Sequence, residues 1–220
     1  MNPSRRRPLS TFSLPFATPF SLPLALAMTV LLAGCASNGG PPANTQFDFG
    51  PAGGAAPAAA ASAPALAALV VTDATGSAAF DNERMVYRLN YADPLQMRSY
   101  ANSRWSAVPL QLVTQRIKTR LAQGGMKVLS ATDASTGVPL LRMELDDFSH
   151  IFDSTTRSQG LVVLRASLFD GHTLLDQRTF ERRAAAGSND AAGGARALAA
   201  ATDALAADMA AWLSTQRPRK

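Results

Sequence analysis

One cysteine in 220 residues, and where it stands, constrain this chain more than any other feature. Cys35 closes the tetrapeptide Leu32-Ala33-Gly34-Cys35, behind an apolar run densest from Leu22 to Leu32 and led by Arg5, Arg6 and Arg7. A basic start, an apolar stretch and small residues before a cleavage point make an export signal. The stretch is short of the ~20 residues a membrane-spanning helix needs, and Pro15, Pro19 and Pro23 interrupt it. Cleavage after Gly34 leaves no second thiol for a disulfide or a metal site. The exported domain must be held by its core alone.

The tetrapeptide resembles a bacterial lipobox, in which a signal peptidase cuts before the cysteine. That resemblance implies a triacylated Cys35 carrying N-acyl and S-diacylglycerol (palmitate-type) chains as the new N-terminus. An ordinary exported protein with a leftover thiol is the weaker reading, because a lone exposed cysteine is a liability in an oxidising compartment.

The chain then divides by composition into a signal peptide (1–34), a tether and low-complexity segment (35–65), a folded domain (66–216) and a basic tail (217–220). Residues 36–42 are small or turn-forming and suit a flexible tether. Gln46-Phe47-Asp48-Phe49-Gly50 alternates polar and aromatic residues and reads as a short edge strand, which Pro51 ends. Residues 52–64 are almost wholly Ala, Gly and Pro, without large side chains to anchor them, and read as a loop or linker. A single domain of the remaining size buries about 70% of its unfolded surface.

The formal charge of +5 includes Arg5, Arg6 and Arg7, so the mature chain carries only +2. It shows neither the basic stripe nor the aromatic platform of a nucleic-acid binder. The tail Arg217-Pro218-Arg219-Lys220 reads as a solvated terminus.

Within the domain, residues 66–72 suit a buried strand. Met85, Tyr87, Leu89 and Tyr91 alternate with Val86, Arg88 and Asn90 as a second, ended by Asp93-Pro94. Pro109 starts a helix in which Leu110, Val113, Ile117 and Leu121 share a face, and Gly124-Gly125 ends it. Strands follow over 126–132, from Leu141 to about Phe152, and from Leu161 to Phe169, the last joined through Asp170-Gly171 to a partner over 172–182. A closing Ala-rich helix spans about 192–216, with Leu198, Leu205, Met209 and Trp212 on one face. The order predicts an α+β fold: a largely antiparallel or mixed sheet with two main helices packed on one face, in a single domain.

Catalytic patterns are scarce. The two histidines, His150 and His172, read as surface residues, and Ser149 beside His150 points to the opposite face of its strand. Asp146-Asp147 would diverge on a strand, which suits a solvated edge with a bulge better than acid–base work. Neither a zinc or calcium spacing nor a phosphate-binding glycine motif is present, so the chain calls for no cofactor and no metal. Tyr91, Arg98, Tyr100, Arg104 and Trp105 interleave aromatic and basic residues before the first helix. Packing is the favoured account of such a cluster, yet these residues remain the best surface candidates for contact with a protein partner.

The segment from Met85 to Asp93, then Tyr100-Ala101-Asn102-Ser103-Arg104-Trp105, then Pro109 and its helix, is similar to the ABC-type transport auxiliary lipoproteins, the PqiC-like family. The lipobox, the Phe47-Asp48-Phe49-Gly50-Pro51 segment, the hairpin at Asp170-Gly171 and the closing helix fit the same pattern. The resemblance implies a non-enzymatic outer-membrane subunit facing the periplasm. Its partners would be a periplasmic MCE-domain protein and an inner-membrane ABC permease and ATPase, in some members with a ring-like homo-oligomer. A lipid-binding carrier lipoprotein is the alternative reading, and an envelope hydrolase a third.

Overall fold

A computed structural model describes residues 44–53, 66–133 and 136–217, all within the compact unit that begins at Ala43. The signal peptide, Cys35, the tether to Ala43, most of the Ala/Pro/Gly-rich stretch and the last three residues lie outside the described residues.

The strands are β1 (Thr45–Phe47), β2 (Ala68–Val71), β3 (Thr75–Gly76), β4 (Arg84–Leu89), β5 (Asp93–Trp105), β6 (Lys127–Ser130), β7 (Leu140–Phe152), β8 (Ser158–Asp170) and β9 (Thr173–Ala185). The helices are α1 (Pro109–Gln123) and α2 (Ala191–Ser214). They build the α+β fold expected of the sequence, with a nine-stranded mixed sheet.

β7 is the spine. One of its edges pairs along its whole length with β8, which pairs in turn with β9, both antiparallel. The other edge is shared by three shorter parallel strands: β2 at Leu140–Leu141, β3 at Glu144–Leu145 and β4 at His150–Phe152. β6 lies parallel outside β2, β5 antiparallel outside β4, and β1 parallel outside the end of β5. The longest ladders are antiparallel because tight turns join them, as at Gly171, whose φ of 57° suits glycine.

Alternation selects the core face. Leu141, Met143 and Leu145 of β7 and Leu164, Ala166 and Leu168 of β8 are buried beneath both helices. Between them on the same strands, Glu144 pairs with Arg165 on the open face. α1 contributes Val113, Ile117 and Leu121, and α2 contributes Leu198, Ala201, Leu205, Met209, Trp212 and Leu213. Each fully buried aliphatic of this kind contributes about 1.5–3 kcal/mol.

Three expectations need correction. Asp93-Pro94 does not close the second strand: β4 ends at Leu89, and Asp93-Pro94 opens β5, thirteen residues long. Proline is tolerated there because β5 is an outer strand whose far edge is covered only from Ser103 onward, by β1. Asp146-Asp147 does form a bulge, but in the central strand β7 rather than at an edge. Gly193-Gly194, a pair that reads in the sequence as a loose helix start, stands instead in an ordered first turn. The first turn of α2 is capped by the Asp190 carboxylate, which accepts the Gly193 amide at 2.7 Å.

Candidate functional site

The bulge decides the chemistry of the upper end of β7. Two β7 steps, Leu145 to Asp147, oppose one step on β8, so Asp146 is the extra residue and the alternation changes phase. Without it, the inward series Leu141, Met143, Leu145 would continue to Ser149 and Ile151. With it, Phe148 joins Trp105 in the core and His150 turns toward Gly194 on α2, while Ser149 and Ile151 on the opposite face are buried as well. His150 is therefore 0% exposed, which corrects its reading as a surface residue. His172, in the turn that follows β8, is exposed as expected.

Around His150 the chain builds a tight aromatic nest. Its Nδ1 lies 2.8 Å from the Tyr100 hydroxyl, and its ring is 4.4 Å from that of Phe152. Tyr87, directly across on β4, stacks against Tyr100 at 4.7 Å. Nε2 is buried without a hydrogen-bond partner. Burial pushes the imidazole pKa down to about 4, only partly opposed by the negative Asp190. Burial, and then the neighbouring Tyr87, raise the Tyr100 phenol. His150 is thus a neutral packing group at ordinary pH.

Two glycines let α2 sit on this nest. A Cβ on Gly194 would fall 2.5 Å from His150 Nδ1. One on Gly160, which pairs with His150 across the ladder, would fall 2.6 Å from the Leu198 amide nitrogen. Small residues are what allow the helix to approach so closely.

A second node ties the segment before the linker to the helices. Arg116 is buried on α1, and its guanidinium donates to the carbonyls of Phe49 and Gly50. Its Nε lies 3.0 Å from an Asp203 oxygen on α2 as an ion contact without hydrogen-bond alignment. Arg120 grips the same carboxylate with two hydrogen bonds, at 2.8 and 2.7 Å. The held Phe49 ring packs edge-on to Trp105 at 5.7 Å and near Phe148 at 6.0 Å. Sequence reading overlooked Arg116. Its only signal was a cation one turn from Val113 and beside Ile117, on the buried side of a helix.

The five residues singled out for partner contact all lie on or beside β5, yet they do not make one surface. Trp105 is 1% exposed and belongs to the core with Phe49 and Phe148. Tyr100 is half-buried against His150. Tyr91, Arg98 and Arg104 are exposed, and Arg98 bonds Gln96. Cys35 lies outside the described residues.

Among the described residues no group of His, Cys, Asp and Glu is placed to hold a metal, and no helix is long and apolar enough to cross a membrane. Two open grooves stand out among the described residues. One, of about 490 Å³, lies between the 48–52 segment and α1; the other, of about 430 Å³, lies between β9 and the end of α2. Ser149 is buried with its hydroxyl donating to Asp147 at 2.7 Å.

The family model of the ABC-type transport auxiliary lipoprotein component matches residues 49–210, from the Arg116-bound Phe49 into the last turns of α2. The chain belongs to this family. The auxiliary-lipoprotein fold also appears in solved structures. One is protein XCC0632 from Xanthomonas campestris, described under the family model DUF330, at 16% identity and TM-score 0.60, covering 77% of this chain and 91% of that one. Another is an uncharacterized protein at 13% identity and TM-score 0.61, covering 78% of this chain and 99% of that one. At such identities the likeness is one of fold. No curated protein matches the chain.

Proposed function

We propose that this auxiliary lipoprotein is held at the periplasmic face of the outer membrane by an acylated Cys35 and acts as a non-catalytic docking subunit. It would serve an ABC-type transport system whose other parts are an inner-membrane permease and ATPase and a periplasmic MCE-domain protein that carries lipid between membranes. Assembly into a ring-like homo-oligomer belongs to the same reading. The observation that carries it is the family match over residues 49–210. The tetrapeptide before Cys35 supports the anchor, and Ala36 behind it carries no acidic signal for retention at the inner membrane.

The packed interior supports docking over lipid carriage. Leu69, Val113, Ile117, Leu141, Leu164 and Leu205 fill the space between sheet and helices at 0–1% exposure, where a carrier would need an apolar cavity. The side chains that a hydrolase would call on are otherwise engaged: His150 with Tyr100, and Ser149 with Asp147. Fractionating the envelope and weighing the N-terminal peptide tests the anchor. A triacylated peptide beginning at Cys35 in the outer-membrane fraction is expected, and an unmodified chain, or one confined to the inner membrane, would overturn it. Native mass spectrometry of the gently extracted protein tests the role, since a stoichiometric bound phospholipid would favour the carrier.

A further inference from the structure

The described surface carries three exposed large hydrophobics, and two of them, Tyr91 and Leu95, share the tip of the β4–β5 hairpin. Leu95 is 88% exposed, and Pro94 beside it is exposed too. The tip is rigid rather than frayed. The Ala92 amide bonds the Leu89 carbonyl, the Asp93 carboxylate accepts the Leu95 amide at 2.9 Å, and the Arg88 guanidinium reaches the Pro94 carbonyl. An ordered apolar tip asks for an occupant.

The direction of the first strand indicates which. β1 runs parallel to β5, with Thr45 opposite Ser103 and Phe47 opposite Trp105. β1 therefore begins on the side of the end at which β5 begins, the end that carries the hairpin tip. The link from Cys35 to Thr45 reaches at most ~35 Å when extended. The run of β5 from Ser103 back to Leu95 covers at most ~26 Å. A membrane that holds Cys35 is thus within reach of the tip.

We propose that the β4–β5 hairpin tip, through Tyr91, Pro94 and Leu95, rests in the headgroup region of the membrane that anchors the chain. The inference depends on the acylated Cys35 of the proposed function. A lipid surface fits the tip better than a protein does: two large side chains fall well short of the ~1,000 Å² a stable protein interface buries. Tyrosine suits the membrane–water boundary, where its ring is buried and its hydroxyl stays wet. Arg98 on β5 and Arg157 in the β7–β8 turn are exposed at the same end, because Leu89 pairs with Phe152 and Phe152 with Ser158. Both suit lipid phosphates. Contact at this hairpin would set the domain upright, with α2 rising from its N-terminus near the membrane.

The test uses the full acylated protein in vesicles of phosphatidylethanolamine and phosphatidylglycerol, with or without lipids brominated high on the acyl chain. Leu95→Trp is compared with Leu174→Trp. Leu174 is 49% exposed but follows the β8–β9 turn, at the opposite end of β7 and β8. The native Trp105 and Trp212 are buried and give a constant background. The Leu95→Trp indole is expected to lose most of its emission to brominated lipid and shift to the blue, while the Leu174→Trp indole keeps its emission. Equal quenching at both sites, or none at Leu95→Trp in protein that floats with the vesicles, would overturn the hairpin contact and leave the anchor standing. Failure of the protein to float would overturn the anchor and the hairpin contact together, since so small a tip cannot hold the domain on a bilayer by itself.

Discussion

The hydroxyl of Tyr100 meets Nδ1 of His150 at 2.8 Å, joining an outer strand to the central one beneath the first turn of α2. The pair exists because one extra residue, Asp146, turns His150 inward. A buried neutral imidazole makes stability depend on pH. Its folded pKa, about 4, lies below the ordinary 6.5, so the unfolded chain binds the proton more readily. Stability is therefore full above pH 6.5 and is lost as the pH falls toward 4. Between pH 7 and 5 the loss is about 2 kcal/mol. Urea denaturation at the two pH values checks it. An unchanged midpoint would mean that His150 is not buried as a neutral group.

The two glycines beneath α2 give a packing prediction. Gly194→Ala gains up to ~1 kcal/mol of helix propensity but drives a methyl onto the His150 ring. Overpacking of this kind costs about 1–3 kcal/mol, so a net loss is expected. Gly160→Ala meets the α2 backbone, which has less room to yield, and should cost more. Gly187→Ala, with nothing near its Cβ position, should be close to neutral. Thermal denaturation of the three variants ranks them.

Arg116 should behave as a staple rather than as a core residue. Arg116→Leu keeps volume on α1 but releases the Phe49 and Gly50 carbonyls, while Arg120 still holds Asp203. Hydrogen bonds to a charged group contribute about 1.5–3 kcal/mol, and a loss near 2 kcal/mol is expected. Release of Phe49 from Trp105 should also raise proteolytic cleavage near residue 50 and shift the Trp105 emission. Unchanged emission and proteolysis would show that the segment is held by other contacts.

Trp105→Ala should cost about 3–5 kcal/mol as a core truncation, whereas Arg104→Ala, at an exposed neighbour, should stay within about 0.5 kcal/mol. A Trp105 variant that weakens partner binding at undiminished stability would restore Trp105 to the contact surface.

Elements whose periodicity serves one clear purpose were legible in the sequence. α1 reads from Pro109, its apolar spacing and Gly124-Gly125, and the structure ends it with a φ of 89° at Gly125. The β8–β9 hairpin reads from Asp170-Gly171 because the turn residues and both flanking strands agree. β5 was hidden by Pro94 and by weak alternation: three extra β5 residues lie between its pairings with Val86 and Arg84, so no regular in–out pattern survives. The buried His150 could not be read either, since a one-residue bulge inverts every later side chain, and the only sign was the Asp146-Asp147 doublet. The parallel docking of β1 and the Arg116 node depend on contacts more than fifty residues apart, which no local pattern encodes. Of the candidate contact residues, the sequence showed the composition of β5 without showing which side chains the sheet would cover.

The most direct test of the central claim is to isolate the acylated protein from chemically cross-linked envelopes and identify what comes with it. The docking role predicts stoichiometric recovery of an MCE-domain protein, and with it an ABC permease and ATPase. Recovery of the protein alone, at cross-linking levels that capture known envelope complexes, would contradict it.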